Sequence, residues 1–270
     1  MITNLKIGYN GRFGNQIFQF ASLIGIATKL GYSPLIPNEN KNTIIQRTMD
    51  GKSFNARFEL CDCFDIDDKY FSNDIKVNNY IRESKFNFDI NMFNIPDFTS
   101  IDGYFQTDKY FKHCSDDIIN ILKFKENILE SARRILPNTD KELVSIHIRR
   151  GDYTTPNQYH PLIGKEYVDE AIKHFNNNHF VIFSDDKDWC EEIWGDFDNF
   201  TIFYSDSHLI DFCAMSLCDH NIISNSSFSW WASYLSNKKD KKIIAPKSWF
   251  GPGFSHYILS DLYTEKMIII

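Results

Sequence analysis

From residue 141 onward, short apolar runs alternate with stretches of helical periodicity. Five of these runs are predicted to be strands: LVSIHIRR, HFVIFSDD, FTIFYS, NIISN and KKIIAP. The four stretches between them have the spacing of amphipathic helices. Strands that alternate with helices build parallel sheets covered by helices on both faces. The second half of the chain is therefore predicted to be an α/β domain with a parallel, doubly wound sheet.

The residues at the ends of the predicted strands are the first candidates for function, because such sheets bind ligands just beyond the carboxyl ends of their strands. Polar and charged residues stand at three of these ends: His147, Arg149, Arg150 and Asp152; Ser184, Asp185 and Asp186; Ser224, Asn225, Ser226 and Ser227. Their convergence on one edge of the sheet predicts a ligand site there.

The chemistry of these residues suits a nucleoside diphosphate. An arginine holds a phosphate through parallel, charge-assisted hydrogen bonds. A serine-rich turn at a helix start offers backbone N–H groups and the positive end of the helix dipole to the same anion. Carboxylates accept hydrogen bonds from a base or a ribose. We therefore expect a pyrophosphate between Arg149 and the turn at 225–227.

Each of these residues also has a purely structural interpretation. Arg149 with Asp152 is a candidate ion pair that closes a loop. Ser226 or Ser227 is a candidate helix N-cap. Asp185 and Asp186 are candidates for the start of the next helix.

The first half is predicted to begin with a β-loop-α-β unit. LKIGYN is a candidate strand, GRFGNQ a turn, and IFQFASLIGIATKLG a helix that ends at Gly31, before an extended YSPLIP. Gly11 and Gly14 allow a ligand to approach the backbone of the turn closely, and Asn15 adds a neutral hydrogen-bonding group. Residues 38–100 are predicted to be loops and short helices, and 116–136 a single helix before Pro137.

Composition excludes several classes of protein. The formal net charge of −7 argues against a surface that binds nucleic acid. No run approaches the roughly 18 apolar residues of a membrane-spanning helix. The six cysteines lack the spacing of a metal site, so reduced thiols in a cytoplasmic protein are expected.

Four stretches of the chain resemble one enzyme family: GRFGNQIFQFA (11–21), GYFQTDKYF (103–111), HIRRGDY (147–153) and SNSSFSWWASYL (224–235). In this order they are similar to the motifs of bacterial α-1,2-fucosyltransferases, glycosyltransferase family 11. The HxRRxD pattern alone is shared with α-1,6- and protein O-fucosyltransferases. Together with SNSSFSWWA it points to the α-1,2 group.

The resemblance implies a GT-B architecture, with two Rossmann-like lobes and a cleft between them. It also implies a GDP-β-L-fucose donor, a galactoside acceptor, inversion to an α-1,2 linkage, and no metal or other cofactor. On this basis we expect an acceptor-side lobe at 1–140 and a GDP-fucose-binding lobe at 141–270. The acceptor is expected to be a galactose-containing oligosaccharide or a lipid-linked glycan, which would bring a cytoplasmic enzyme to the inner membrane face.

The resemblance assigns a role to individual residues. Arg149 would bind the pyrophosphate and stabilise the departing GDP. Arg150 and Asp152 would brace the loop beside it. The other residues implied in donor binding are His147 and Asp185 for guanine or ribose, Asn225, Ser226 and Ser227 for phosphate, Phe228 directly after them, and Gly11, Gly14 and Asn15 from the other lobe.

The group that accepts a proton from the acceptor hydroxyl is predicted in the first lobe. Asp102, just before the GYFQTDKYF motif, is the first candidate for this base. The alternatives are Asp108, His147, Asp152 and Glu39. A dissociative route without a base is also open.

Three competing hypotheses differ in donor, fold or activity. One is a GT-B transferase with another donor, such as GDP-mannose. A second is a GT-A enzyme, because Asp65-Ile66-Asp67 matches that class's DxD metal motif. The third is a protein that binds a sugar or nucleotide without catalysis, for which the 24 Phe and 13 Tyr offer many aromatic faces.

Overall fold

The computed structural model of the chain describes residues 1–41, 44–49, 52–151 and 158–270, without the side chains of 45–49 and 52–56. The chain forms two compact units. The first comprises residues 1–125 and 257–264, and the second comprises 126–256 and 265–270. The units thus divide after Lys125, before the predicted boundary at 140.

The first unit contains a five-stranded parallel sheet in the order β5-β2-β1-β7-β6. Strands β3 and β4 pair separately as an antiparallel hairpin. Its elements are β1 (Ile2–Thr3), α1 (Phe13–Leu30), β2 (Pro34–Pro37), β3 (Ile44–Met49), β4 (Lys52–Arg57), α2 (Leu60–Cys63), β5 (Phe71–Ser72), β6 (Asn79–Arg82), β7 (Thr99–Asp102) and α3 (Ser115–Ile121).

Helix α1 runs through the core of this unit, and fourteen of its eighteen residues are buried. It ends at Gly31 as predicted, in a left-handed conformation with φ of 71° whose N–H bonds to the carbonyls of Ala27 and Thr28. The strand before it differs from the prediction, because β1 ends at Thr3 and the following residues form turns. Gln19, buried in α1, holds these turns through hydrogen bonds with Gly8 and Asn10.

The prediction of loops and short helices for 38–100 was wrong in part, because this stretch contains five strands. Two of them, β5 and β6, have only two and four residues. The side chains of β6 alternate between half-buried and exposed. Such short strands carry too few alternations to be told from a loop.

The second unit contains a six-stranded parallel sheet in the order β10-β9-β8-β11-β12-β13, which confirms the predicted parallel α/β fold. Its elements are α4 (Glu126–Ile135), β8 (Leu143–Ile148), α5 (Lys165–Ala171), β9 (His179–Ser184), α6 (Lys187–Trp194), β10 (Phe200–Ile202), α7 (His208–Leu217), β11 (His220–Ile222), α8 (Ser227–Leu235), β12 (Ile243–Ala245) and β13 (Met267–Ile269). Numbered from β8, the strands follow the order 3-2-1-4-5-6 of a dinucleotide-binding fold.

The single helix predicted at 116–136 is in fact two, α3 and α4. Between them Phe124 forms an antiparallel bridge with Phe64, within the first unit. This bridge interrupts the helical hydrogen bonds at the point where the two units divide.

Strand β8 places different chemistry on its two faces, because side chains alternate along a strand. Val144, Ile146 and Ile148 lie in a buried apolar cluster with residues of α5 and α6. Ser145 faces the other way and accepts a hydrogen bond from Asn221, whose amide also binds a carbonyl of α7. Helices therefore cover both faces of the sheet, and His147 lies on the more polar one.

Among the helices of the described residues, none has the length and apolar character to cross a membrane.

Candidate functional site

His147 and Ser224 mark the centre of the candidate site in the second unit. His147 is on β8 and Ser224 follows β11, its neighbour in the sheet. The strand order reverses between these two strands, which is where such folds bind ligands. The Ser224 hydroxyl lies 2.8 Å from Nδ1 of His147, and both side chains are buried.

Burial, with the positive charge of Arg149 nearby, lowers the pKa of His147 to about 4. The carboxylate of Asp185 acts in the opposite direction but is the smallest of the three effects. The imidazole is therefore neutral at physiological pH and serves as a hydrogen-bonding group.

Because the folded protein holds His147 neutral, we expect the free energy of unfolding to decrease as the pH is lowered. The unfolded chain binds a proton at His147 below pH 6.5, whereas the folded chain binds it only near pH 4. By linkage, His147 should cost about 2 kcal/mol of stability between pH 7.5 and pH 5. Urea unfolding of the wild type and of His147→Asn measures this. The difference in free energy of unfolding between the wild type and His147→Asn should be smaller by about 2 kcal/mol at pH 5 than at pH 7.5. A difference that does not change with pH would contradict the prediction.

Arg149 follows β8 directly and pairs with the carboxylate after the neighbouring strand. Its Nη1 lies 2.6 Å from Oδ2 of Asp185, and both side chains are mostly buried. Oδ1 of Asp185 accepts the backbone N–H groups of Arg150 and Gly151. A Cβ on Gly151 would lie 2.5 Å from Oδ2 of Asp185, so glycine permits this close approach. Asp185 thus fixes the loop that carries Arg149.

Arg150 is bound within the protein, by Asp186 and Trp189. Its Nε donates to Oδ2 of Asp186 at 2.8 Å, and its guanidinium stacks 3.9 Å from the ring centre of Trp189. The hydrogen bond from Arg150 is the main cause that lowers the pKa of Asp186. Asp186 also caps α6 by accepting the N–H of Trp189. Asp152 lies outside the described residues.

The turn before α8 is held from two sides. Nδ2 of Asn225 donates to the carbonyls of Pro161 and Trp249, at 3.0 and 3.2 Å. Oδ1 of Asn225 is buried and has no hydrogen-bond partner within the described ranges. Ser226 is the N-cap of α8 and accepts the N–H of Phe228. The turn therefore has a fixed conformation at the carboxyl edge of the sheet.

Ser227 and Phe228 form the first turn of α8, and both are half-buried. The ring of Phe228 packs against His147 and Phe212, with centroids 5.6 and 5.2 Å apart. Phe228 thus links the helix to the imidazole. The structure brings the predicted residues of this unit together at one edge, except Asp152, which it does not describe.

The predicted residues of the first unit lie at the start of α1. Gly11 has a φ of 81°, and a Cβ there would lie 1.8 Å from Nδ2 of Asn15. Gly14 is buried in the first turn of the helix. Oδ1 of Asn15 accepts a hydrogen bond from Gln106 at 2.5 Å. Their contact with a donor stays a prediction.

Asp102 ends β7 and is bound by two neighbours. Its Oδ1 accepts from Nδ2 of Asn10 at 2.7 Å, and its Oδ2 lies 3.2 Å from Nζ of Lys6. The alternative bases Asp108 and Glu39 lie in short 3-10 helices of the same unit. Of the DxD pair, Asp67 caps a 3-10 turn by accepting the N–H of Lys69.

Sequence reasoning missed Glu83, which follows β6 at the carboxyl edge of the first sheet. Its backbone N–H bonds to the carbonyl of Asp102 at 2.8 Å, so the two carboxylates stand on neighbouring strands. The available signal was an acidic residue directly after NYIR, in a stretch whose strands were not recognised.

Curated relatives of the chain are glycosyltransferases. WbnK, an O-antigen biosynthesis glycosyltransferase of Escherichia coli, is 24% identical over 288 residues, covering 89% of this chain and 93% of that protein. An alpha-1,2-colitosyltransferase of Escherichia coli is 35% identical over 169 residues, 55% of each chain. Galactoside alpha-(1,2)-fucosyltransferase 1 of Rattus norvegicus is 24% identical over 244 residues, 83% of this chain and 61% of that protein. The matches to the last two thus span less than two thirds of their length.

Solved structures share the fold. POFUT1 in complex with GDP superposes with a TM-score of 0.53 at 12% identity, over 90% of this chain and 97% of that one. The fucosyltransferase NodZ from Bradyrhizobium gives a TM-score of 0.50 at 12% identity, over 88% of this chain and 95% of that one. These likenesses confirm the predicted GT-B type of fold, with two Rossmann-like lobes. The model of glycosyl transferase family 11 matches residues 2–263, and the chain, a glycosyltransferase, belongs to that family.

Proposed function

We propose that this chain transfers L-fucose from GDP-β-L-fucose to the 2-hydroxyl of a terminal galactoside, with inversion and without a metal ion. The observation that carries the proposal is that Arg149 and the serine-rich turn before α8 lie at the same edge of the second sheet, where its strand order reverses. Family membership and the α-1,2-transferring relatives support the choice of reaction.

In this reaction the bond between the fucose C1 and the phosphate oxygen breaks, and its electron pair leaves with GDP. The acceptor oxygen forms the new bond to C1 from the opposite face and loses its proton. Arg149 offsets the charge that develops on the diphosphate. A guanidinium has five N–H donors, and the contact with Asp185 involves Nη1, so the pair with Asp185 is compatible with phosphate binding.

The turn formed by Asn225, Ser226 and Ser227 supports the same anion. Its backbone N–H groups lie at the positive end of α8. His147 and Asp185 are proposed to contact the guanosine. Because the charge that balances the diphosphate comes from the protein, this reaction needs no metal ion.

The experiment is a transfer assay with the purified full chain and a panel of donors. We expect transfer from GDP-fucose to a β-galactoside, and NMR of the product should show an α-1,2 linkage. Activity should persist in EDTA. Transfer from GDP-mannose alone, or a strict need for added Mn²⁺, would overturn the proposal. Stabilisation by GDP without product on any acceptor would indicate a binding protein.

A second candidate donor is GDP-colitose, favoured by the alpha-1,2-colitosyltransferase that is 35% identical over its matched residues. The same panel separates the two donors by their kcat/KM values. The proposed acceptor is a galactose-terminated glycan, either free or lipid-linked, and the role of WbnK in O-antigen biosynthesis supports a glycan acceptor. Location in the cytoplasm at the inner membrane face stays a prediction.

A further inference from the structure

Two carboxylates stand side by side at the carboxyl edge of the first unit's sheet. Glu83 follows β6 and Asp102 ends β7, and these strands pair in parallel with Arg82 opposite Asp102. In parallel sheets this edge is where ligands bind. Neither carboxylate has an evident role in binding GDP.

The loop after β7 is built around the carboxylate of Glu83. Oε2 accepts the backbone N–H groups of Tyr104 and Phe105, at 2.7 and 3.1 Å. Phe105 has a φ of 52°, which is uncommon for a residue other than glycine. A Cβ on Gly103 would lie 2.5 Å from Cβ of Glu83. The glycine and the left-handed residue of the GYFQTDKYF motif thus let the loop fold onto this side chain.

The two oxygens of Glu83 are bound unequally. Oε2 accepts both N–H groups, whereas Oε1 accepts only that of Phe105, at 3.1 Å, among the described residues. A carboxylate oxygen has two lone pairs. Oε1 therefore keeps the capacity to accept a hydrogen bond from a substrate hydroxyl.

The surroundings of the two carboxylates differ in charge. Asp102 is paired with the ammonium group of Lys6 and bound by the amide of Asn10. Burial, with a smaller contribution from the charge of Asp102, raises the pKa of Glu83 to about 7, although the two backbone N–H groups oppose this. The phenol of Tyr110 accepts the N–H of Asp89, and its pKa is raised mainly by burial, with a smaller contribution from the charge of Glu83, so it stays neutral. A base with a pKa near the working pH is the most effective for proton transfer.

We propose that Oε1 of Glu83 accepts the proton from the acceptor hydroxyl in the transfer described above, while Asp102 acts as its charged neighbour. The inference rests on the proposed function. The hydroxyl oxygen forms its bond to the sugar C1 as its proton moves to Glu83. The GDP leaves with the electron pair of the broken bond, and Glu83 afterwards returns the proton to water.

The experiment compares kcat across pH for the wild type, Glu83→Gln and Asp102→Asn. Glu83→Gln should lower kcat by about 10²–10⁴-fold, the usual contribution of a general base. Its Oε1 can take the place of the carboxylate Oε2 and accept both N–H groups, so the fold and the thermal shift with GDP should be retained. Glu130→Gln, an exposed residue of α4, is the matched control and should leave kcat unchanged.

The pH profile separates a proton acceptor from a structural residue. A base works when ionised, so wild-type kcat should be full above the pKa of Glu83 and fall as the pH drops through about 7. In Glu83→Gln, the residual kcat should not decrease over this pH range, because the variant has no carboxylate to protonate. Asp102→Asn should retain the decrease but move it to lower pH, because removing the negative neighbour lowers the pKa of Glu83.

The outcomes distinguish this inference from the proposed function. Glu83→Gln with more than about a tenth of wild-type kcat and an unchanged acidic limb would overturn the role of Glu83 alone, given the expected general-base contribution. Loss of transfer in Asp102→Asn with an active Glu83→Gln would give the role to Asp102. A wild type that transfers no sugar from any donor of the panel would overturn both.

Discussion

Arg149→Ala should lower kcat for transfer by about 10²–10³-fold, the usual cost of losing one preorganised group that stabilises developing charge. The guanidinium stands at the strand end beside the turn of α8, where we propose that the diphosphate leaves. The fold should persist, since Asp185 keeps its bonds to the N–H groups of Arg150 and Gly151. Initial rates with saturating GDP-fucose, and the melting temperature of the same samples, measure the two effects.

Two further variants sharpen the result. Arg149→Lys keeps the charge but loses the planar fork, so it should recover only part of the rate. Arg150→Ala removes the ion pair with Asp186 and the stacking on Trp189, and should therefore lower the melting temperature. Arg149→Ala with more than about a tenth of wild-type activity would refute the assignment, because the expected loss is at least tenfold greater.

Gly25→Val should destabilise the first unit by about 3 kcal/mol or more, at the upper end of the cost of overpacking. A Cβ at this position would lie 2.2 Å from the carbonyl oxygen of Tyr110 and 2.7 Å from Cα of Phe111. Both contacts are with backbone, so no change of rotamer relieves them. Urea unfolding of the full chain should show a clearly lower midpoint, and Gly25→Ala provides a milder step if the valine variant does not fold.

Gly31→Ala is the matched control for Gly25. Gly31 has a left-handed φ of 71°, but nothing lies within 4 Å of a Cβ placed there. Its substitution should cost only about 1–2 kcal/mol, the penalty for an L-residue in this conformation. Equal midpoints for Gly25→Ala, Gly25→Val and Gly31→Ala would show that the packing at Gly25 is not tight.

The second unit was predictable because its strands and helices repeat with clear periods. Parallel strands end at a common edge of their sheet, so the pattern of β8, β9 and β11 was enough to predict that Arg149, Asp185 and Asn225 lie together. The partner of Arg150 was not predictable. Asp186 lies on a neighbouring strand end, and Trp189 one helical turn further, so both depend on strand order and register.

The first unit was less predictable because its strands are short and far apart in sequence. β1 has two residues, and its partners β2 and β7 begin at Pro34 and Thr99. A strand of two to four residues shows at most three changes of side-chain direction, too few to establish a period. Glu83 was missed for this reason, whereas Asp102 stood next to a recognised motif.

The path of the C-terminal residues has a consequence for how the protein is synthesised. Residues 257–264 belong to the first unit, where Tyr257 stacks on Phe86 and Asp261 binds both Lys109 and the N–H of Phe88. On the ribosome, residues 1–125 emerge first but wait for these contacts until residues 257–264 have been made. The first unit is thus completed only after residues 126–256 of the second unit have been made, and a fragment cut at residue 125 would expose the surface that this returning segment covers.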